Sequence, residues 1–140
     1  MVFQNRFRPA YADVKAAIEA GKLGTPISAD VQMKWYRSDE YFRNAGWRGT
    51  WTMDGGGALM NQAIHSIDLM VWFMGPVRSV FAYTDTRTHT IETEDVAVAV
   101  LRFQSGAVGT ITATTGAIPG LWTRVEVHGR DASFCIQNDS

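Results

Sequence analysis

Cysteine is almost absent from this sequence. Cys135 stands alone among 140 residues, which excludes an internal disulfide framework and a multi-cysteine metal site. A lone thiol fits a reducing compartment, and the expected location is cytoplasmic. Long apolar runs are missing too. None exceeds the six residues of Leu69–Met74, far short of a membrane span. The N-terminus shows no apolar signal core, because Arg6 and Arg8 follow Phe3 closely. Neither charge is in excess. Lys and Arg number 13 and Asp and Glu 14, a net charge of −1, which argues against a dedicated binder of nucleic acid or of an anionic membrane. Lysine is scarce, with only Lys15, Lys22 and Lys34. No repeat, heptad or low-complexity tract occurs.

What is present points to a globular domain. Hydrophobic residues make up 46% of the chain, so disorder is excluded as the ground state. Residues 1–140 fit one domain, long enough to bury roughly two-thirds of its unfolded surface. Ten of the 13 basic residues are arginine, suited to planar hydrogen bonding with carboxylates, phosphates and sugar hydroxyls. Five tryptophans fit a core, an interface or a sugar-contacting surface.

Local patterns set the order of elements. Pro9 opens a short helix with Tyr11, Val14 and Ile18 on one stripe, closed by Gly21. Ile27–Tyr36 alternates like a strand. The stretch from Arg37 to Met53 is unpatterned and holds Arg37, Tyr41, Phe42, Arg43, Trp47, Arg48 and Trp51. So long a connection is either a binding loop or a meandering surface loop pinned by its aromatics. A single helix is expected over Ala58–Met74, with Asp54 as its N-cap and Gly75-Pro76 as its end. Strands follow at Val77–Asp85, Asp95–Phe103, Ala107–Thr115, Trp122–His128 and Ser133–Gln137. The expected fold is α+β, an open and largely antiparallel sheet with helices on one face. Asp95–Phe103 is apolar on both faces, so the second face is expected to serve oligomerisation, as a homodimer or homotetramer. His89 and His128 read as surface positions.

The long helix is apolar around most of its circumference, except for Asn61, His65 and Asp68. At about 100° per residue these three fall on one stripe, at i, i+4 and i+7. One reading is a structural network in which Asp68 holds His65. The other is a tuned acid–base histidine. A metal site is disfavoured, because no second His or Cys lies nearby. Gly55-Gly56-Gly57 lacks the Lys-Ser/Thr of a phosphate loop and better suits close backbone approach.

The segment D-G-G-G-A-L-M-N-Q-A-I-H-S-I-D, Asp54–Asp68, closely resembles the signature helix of the glucose–fructose oxidoreductase / inositol dehydrogenase / rhizopine-catabolism (Gfo/Idh/MocA) family. N-R-F-R-P at Asn5–Pro9, G-K-L-G at Gly21–Gly24, G-W-R-G at Gly46–Gly49, I-E-T-E-D at Ile91–Asp95 and F-Q-S-G-A at Phe103–Ala107 are similar to other family segments, in the same order. The resemblance implies the C-terminal, substrate-binding and oligomerising domain of an oxidoreductase acting on a sugar, polyol or related hydroxy compound. NAD or NADP would be held by an N-terminal Rossmann domain that this chain lacks, and no cofactor is expected on the chain itself. Neither G-x-G-x-x-G/A nor the family's Glu-Lys-Pro motif occurs, so the chain is expected to be a cut at the domain boundary or a stand-alone relative, inactive by itself. The alternative is a non-catalytic ligand-binding or assembly module of the same fold. By the resemblance, His65 is the catalytic histidine. Asn61, where many members have Asp, orients substrate or His65. Trp47 and Arg48 line the substrate pocket, Arg6 lies near the junction with the cofactor domain, and Asp68 supports the site from behind.

Overall fold

The computed structural model describes residues 2–139. A 3₁₀ turn at Gln4–Phe7 leads into α1, Pro9–Glu19, with Pro9 in the first turn, where a missing N–H costs nothing. Strand β1 (Pro26–Lys34) follows, then the short helix α2 (Asp39–Arg43). A π-helical segment, Ala58–Ala63, runs directly into α3, Ile64–Met74. Five strands complete the chain: β2 (Val77–Asp85), β3 (Val96–Phe103), β4 (Val108–Thr114), β5 (Trp122–Gly129) and β6 (Ser133–Asp139).

The six strands form one sheet in the order β2-β3-β4-β1-β5-β6. Every neighbouring pair is antiparallel except β1 and β4, whose parallel register places Val31 beside Ile111. The α+β architecture and the helices on one face match the sequence expectation. The core lies between α3 and the inner face of the sheet. Leu69, Met70 and Phe73 of α3 pack with Ala29 and Val31 of β1, Val125 and Val127 of β5, and Leu101 and Phe103 of β3. Tyr11 and Leu23 close the α1 side, and the Tyr11 hydroxyl accepts a hydrogen bond from Asn138 Nδ2 at 2.6 Å.

The strict alternation of β3 explains how one strand serves two surfaces. Ala97, Ala99, Leu101 and Phe103 are buried under the helices, whereas Val98 and Val100 point the other way and are 48% and 52% exposed. Beside them on β2 lie Phe81 and Tyr83, 60% and 75% exposed. Among the described residues nothing covers that outer face.

Two expectations are corrected here. The Ala58–Met74 helix is not uniform, because its first turns take the wider π geometry. That geometry changes the angular step along the helix and breaks the wheel on which Asn61, His65 and Asp68 shared a stripe. The stretch from Arg37 to Met53 also contains α2, capped by Ser38, whose Oγ accepts the Tyr41 N–H at 3.2 Å. Ser38-Asp39-Glu40 is an N-terminal helix signal, masked by the lack of any apolar period after it.

Candidate functional site

The site is built where the end of β1, the loop through α2, and the π segment meet. Its foundation is the N-terminus of the π segment. Glu94, not Asp54, caps it: Oε2 accepts the Gly57 N–H at 3.0 Å and Oε1 the Leu59 N–H at 2.9 Å. The Ala58 N–H donates to the Glu94 carbonyl at 2.8 Å. A Cβ at Gly57 would overlap that same carbonyl oxygen, so close backbone approach requires glycine there. Asp54 instead ties loop to helix. Its carboxylate accepts the Gly49 N–H at 2.8 Å and the Asn61 amide at 2.9 and 3.1 Å.

The polar stripe therefore separates into three environments. Asn61 is committed to Asp54. Asp68 does not hold His65, because both its oxygens are taken by Arg6, with Nε at 2.8 Å and Nη2 at 2.6 Å. This fork-to-fork pair pins the N-terminal segment to α3 and leaves Arg6 bound to Asp68 rather than gathered with the loop residues. Asp68 hydrogen bonding holds the Arg6 guanidinium above its ordinary range. His65 is half-buried, its ring centre 6.1 Å from that of Phe3 in an edge-to-face arrangement, and its Nδ1 is buried without a partner among the described residues.

The loop side contributes aromatic and cationic groups. Arg48 Nη1 donates to the Tyr41 carbonyl at 2.9 Å, and its guanidinium lies 4.0 Å from the Tyr41 ring centre and 5.3 Å from that of Trp47. Trp47 itself is exposed. Gln62 bridges helix to loop, donating to the Tyr41 hydroxyl at 3.1 Å and accepting from Arg37 Nη2 at 3.3 Å. Arg48 and Arg43 line a hollow of about 280 Å³ whose far wall is Thr90, Ile91 and Glu92.

His89 corrects the expectation of a surface histidine. Its side chain is 2% exposed and that of its partner Asp95 is 0% exposed. Asp95 accepts the backbone N–H groups of Arg87, Thr88 and His89, each at 2.8 Å, and faces His89 Nδ1 at 3.0 Å. The other ring nitrogen meets the Arg37 carbonyl at 2.8 Å. One ring nitrogen faces the Asp95 carboxylate and the other the Arg37 carbonyl, so the ring ties the two together. The ring, packed 4.7 Å from Phe42, thus braces the start of the site loop. Burial pushes the Asp95 carboxyl up, but the backbone donors of Arg87, His89 and Thr88, with the His89 ring, outweigh it and hold the group below the ordinary carboxylate range. Periodicity carries no trace of this pair, because His89 lies in a connection outside any strand.

Among the described residues no group of three His, Cys, Asp or Glu is placed to hold a metal ion. No helix among them is long and apolar enough to cross a membrane.

An open mixed sheet backed by one buried helix, with a histidine near that helix's start and an arginine-rich loop beside it, makes this an α+β domain with one helix-covered face. Residues 11–135 match the GFO/IDH/MocA C-terminal domain, and the chain belongs to that family. The WlbA dehydrogenase from Bordetella pertussis, solved in complex with NADH and UDP-GlcNAcA, is 42% identical with a TM-score of 0.94, over 98% of this chain and 43% of that one. A levoglucosan dehydrogenase solved with NADH and levoglucosan is 28% identical, with a TM-score of 0.87, over 97% of this chain and 39% of that one. The myo-inositol 2-dehydrogenase of Thermotoga maritima is 31% identical over 97% of this chain and 40% of its own length. The chain thus spans about two-fifths of these relatives.

Proposed function

We propose that this chain is the substrate-binding and assembly half of an NAD-dependent dehydrogenase that oxidises or reduces a sugar derivative, with His65 as the acid–base. The observation that carries the reading is the state of His65, whose ring is half-buried, unsupported by Asp68 and without a hydrogen bond among the described residues. A ring so placed is available to exchange a proton with a hydroxyl or carbonyl brought in from outside. When bound, the dinucleotide accepts or donates the hydride. This chain has no glycine-rich turn between strand and helix for a pyrophosphate, so its own work is to position the substrate and move the proton. Asn61, fixed by Asp54, orients the substrate, and Trp47 and Arg48 line its entrance. Arg6 and Asp68 hold the N-terminal segment, where a preceding cofactor domain would join. The 42% identity to a dehydrogenase solved with a nucleotide-linked sugar acid, against 28% to the levoglucosan enzyme, supports a nucleotide sugar over a small polyol.

The protein carrying this chain together with its dinucleotide-binding half is expected to reduce NAD with UDP-GlcNAcA, and to do so faster than with levoglucosan or myo-inositol. NADH formation followed by absorbance checks this. Absence of turnover with all three compounds would defeat the reading.

Assembly follows from the uncovered sheet face. Phe81, Tyr83, Val98, Val100 and Val108 form a contiguous apolar surface of the kind that marks an interface. Two copies packed face to face would form an obligate interface, of the order of 2,000 Å² or more. Light scattering at micromolar concentration is expected to give at least a dimer for the unaltered chain and a monomer for Val100→Asp. A monomeric unaltered chain would contradict the assembly.

A further inference from the structure

We propose that Arg37 and Arg48, gathered by the ring of Tyr41, form an anion-binding site that takes the negatively charged group of the substrate, a carboxylate or a phosphate. The inference rests on reading this domain as the sugar-binding half of a dehydrogenase, and it names the charge class of the ligand and the side chains that select it.

Both guanidinium groups lie against one ring, Arg48 4.0 Å and Arg37 5.3 Å from its centre, and Arg37 is also 4.9 Å from the centre of Trp35. Stacking of this kind fixes the plane of a guanidinium and leaves its edge to donate hydrogen bonds. Each edge is largely unused. Arg37 reaches only the Gln62 amide oxygen and the Tyr36 carbonyl, at 3.3 and 3.4 Å. Arg48 reaches only the Tyr41 carbonyl. The Nε of both is buried with no partner among the described residues.

Charge sharpens the point. Among the described residues Arg6, Arg87 and Arg124 each pair with a carboxylate, of Asp68, Asp85 and Glu126 respectively, and the remaining arginines, most of them exposed, make no ion pair. Arg37 and Arg48 are among those without one. Glu92, which shares the hollow lined by Arg48, is engaged by the Trp51 N–H at 3.0 Å and makes no ion pair with it. Two half-buried cations held together by one ring repel each other, and a buried donor left unmade is costly. A ligand anion offsets both charges and accepts from the guanidinium edges it can reach. The position suits a substrate, because Arg37 is bonded to Gln62 on the π segment, three residues before His65. The His89 brace on the Arg37 carbonyl fixes the backbone from which one fork projects.

The side-chain Nε–H signals of Arg37 and Arg48 in the nitrogen-15-labelled chain give a direct test by NMR. Titration with UDP-glucuronic acid should move both. UDP-glucose carries the phosphates alone and glucuronic acid the carboxylate alone, so the one that also moves them identifies the recognised group. Myo-inositol should leave them still. Arg37→Gln and Arg48→Gln should each weaken binding of the charged ligand about ten-fold or more, and Arg48→Lys less, because it keeps the charge and loses the fork. Signals that stay fixed with all three anionic ligands would overturn the site, as would equal affinity for myo-inositol. If a glutamine variant fails to fold, the response of the unaltered chain still decides. The His65 ring signals separate this proposal from the reading beneath it. Arginine signals that respond while His65 does not would keep the anion site and remove the dehydrogenase substrate. The reverse would keep the substrate and remove the anion site.

Discussion

His65→Asn is expected to lower kcat of the proposed dehydrogenase by about 10²–10⁴-fold, the usual worth of a general acid–base, while the domain stays folded. The folding part of this expectation comes from geometry. The His65 Nδ1 has no hydrogen bond to lose, and Asp68 is already saturated by Arg6. A histidine with a purely structural role would behave oppositely. Its loss would cost about 1–3 kcal/mol for a buried polar group left unpaired, with kcat intact in the folded fraction. Melting curves beside steady-state kinetics separate the two, and a folded His65→Asn enzyme with unaltered kcat would end the catalytic assignment. Asn61→Asp, which introduces the residue that the family resemblance implies at this position, has an unexpected neighbour here. The Asn61 amide donates to both oxygens of Asp54, so an aspartate would set two carboxylates face to face. Their repulsion would loosen the tie between loop and helix that the amide now makes.

Asp95→Ala is expected to destabilise the domain by about 3–5 kcal/mol, because several donors lose their shared acceptor at about 1–3 kcal/mol for each one left buried. Against a total stability of roughly 5–15 kcal/mol that is a large share, and the melting temperature should fall by on the order of 10 °C. The change orphans three backbone N–H groups and the buried His89 ring, and it loosens the brace on the Arg37 carbonyl. The acid dependence follows from the direction of the Asp95 shift. Its pKa in the folded protein lies below the ordinary carboxylate value, so its contribution is fully present above that ordinary range. The contribution is lost as pH falls through the depressed folded value. Urea denaturation between pH 7 and pH 3 should therefore show a steeper acid loss for the unaltered chain than for Asp95→Asn. Parallel acid profiles would show that Asp95 is not the group responsible.

Sequence alone determined the elements whose signal is local. Alternation over β1 and β3, the Pro9 start of α1 and the Gly75-Pro76 end of α3 follow from backbone sterics and from which face is buried, and the structure keeps them. The Asp54–Asp68 motif placed His65 in the right family and on the right helix. Tertiary structure decided what the polar residues do there. An ideal wheel put Asn61, His65 and Asp68 together, but the π segment altered the angular step, and partners distant in sequence claimed the side chains. Arg6 reached Asp68 from 62 residues away, and Glu94 capped a helix start 37 residues before it. The same holds for His89, whose burial depends on a carboxylate across its own loop and a carbonyl 52 residues back. Periodicity reports only which face of an element meets the core. A hydrogen bond between elements depends on how they dock, and it leaves no regular spacing in the chain.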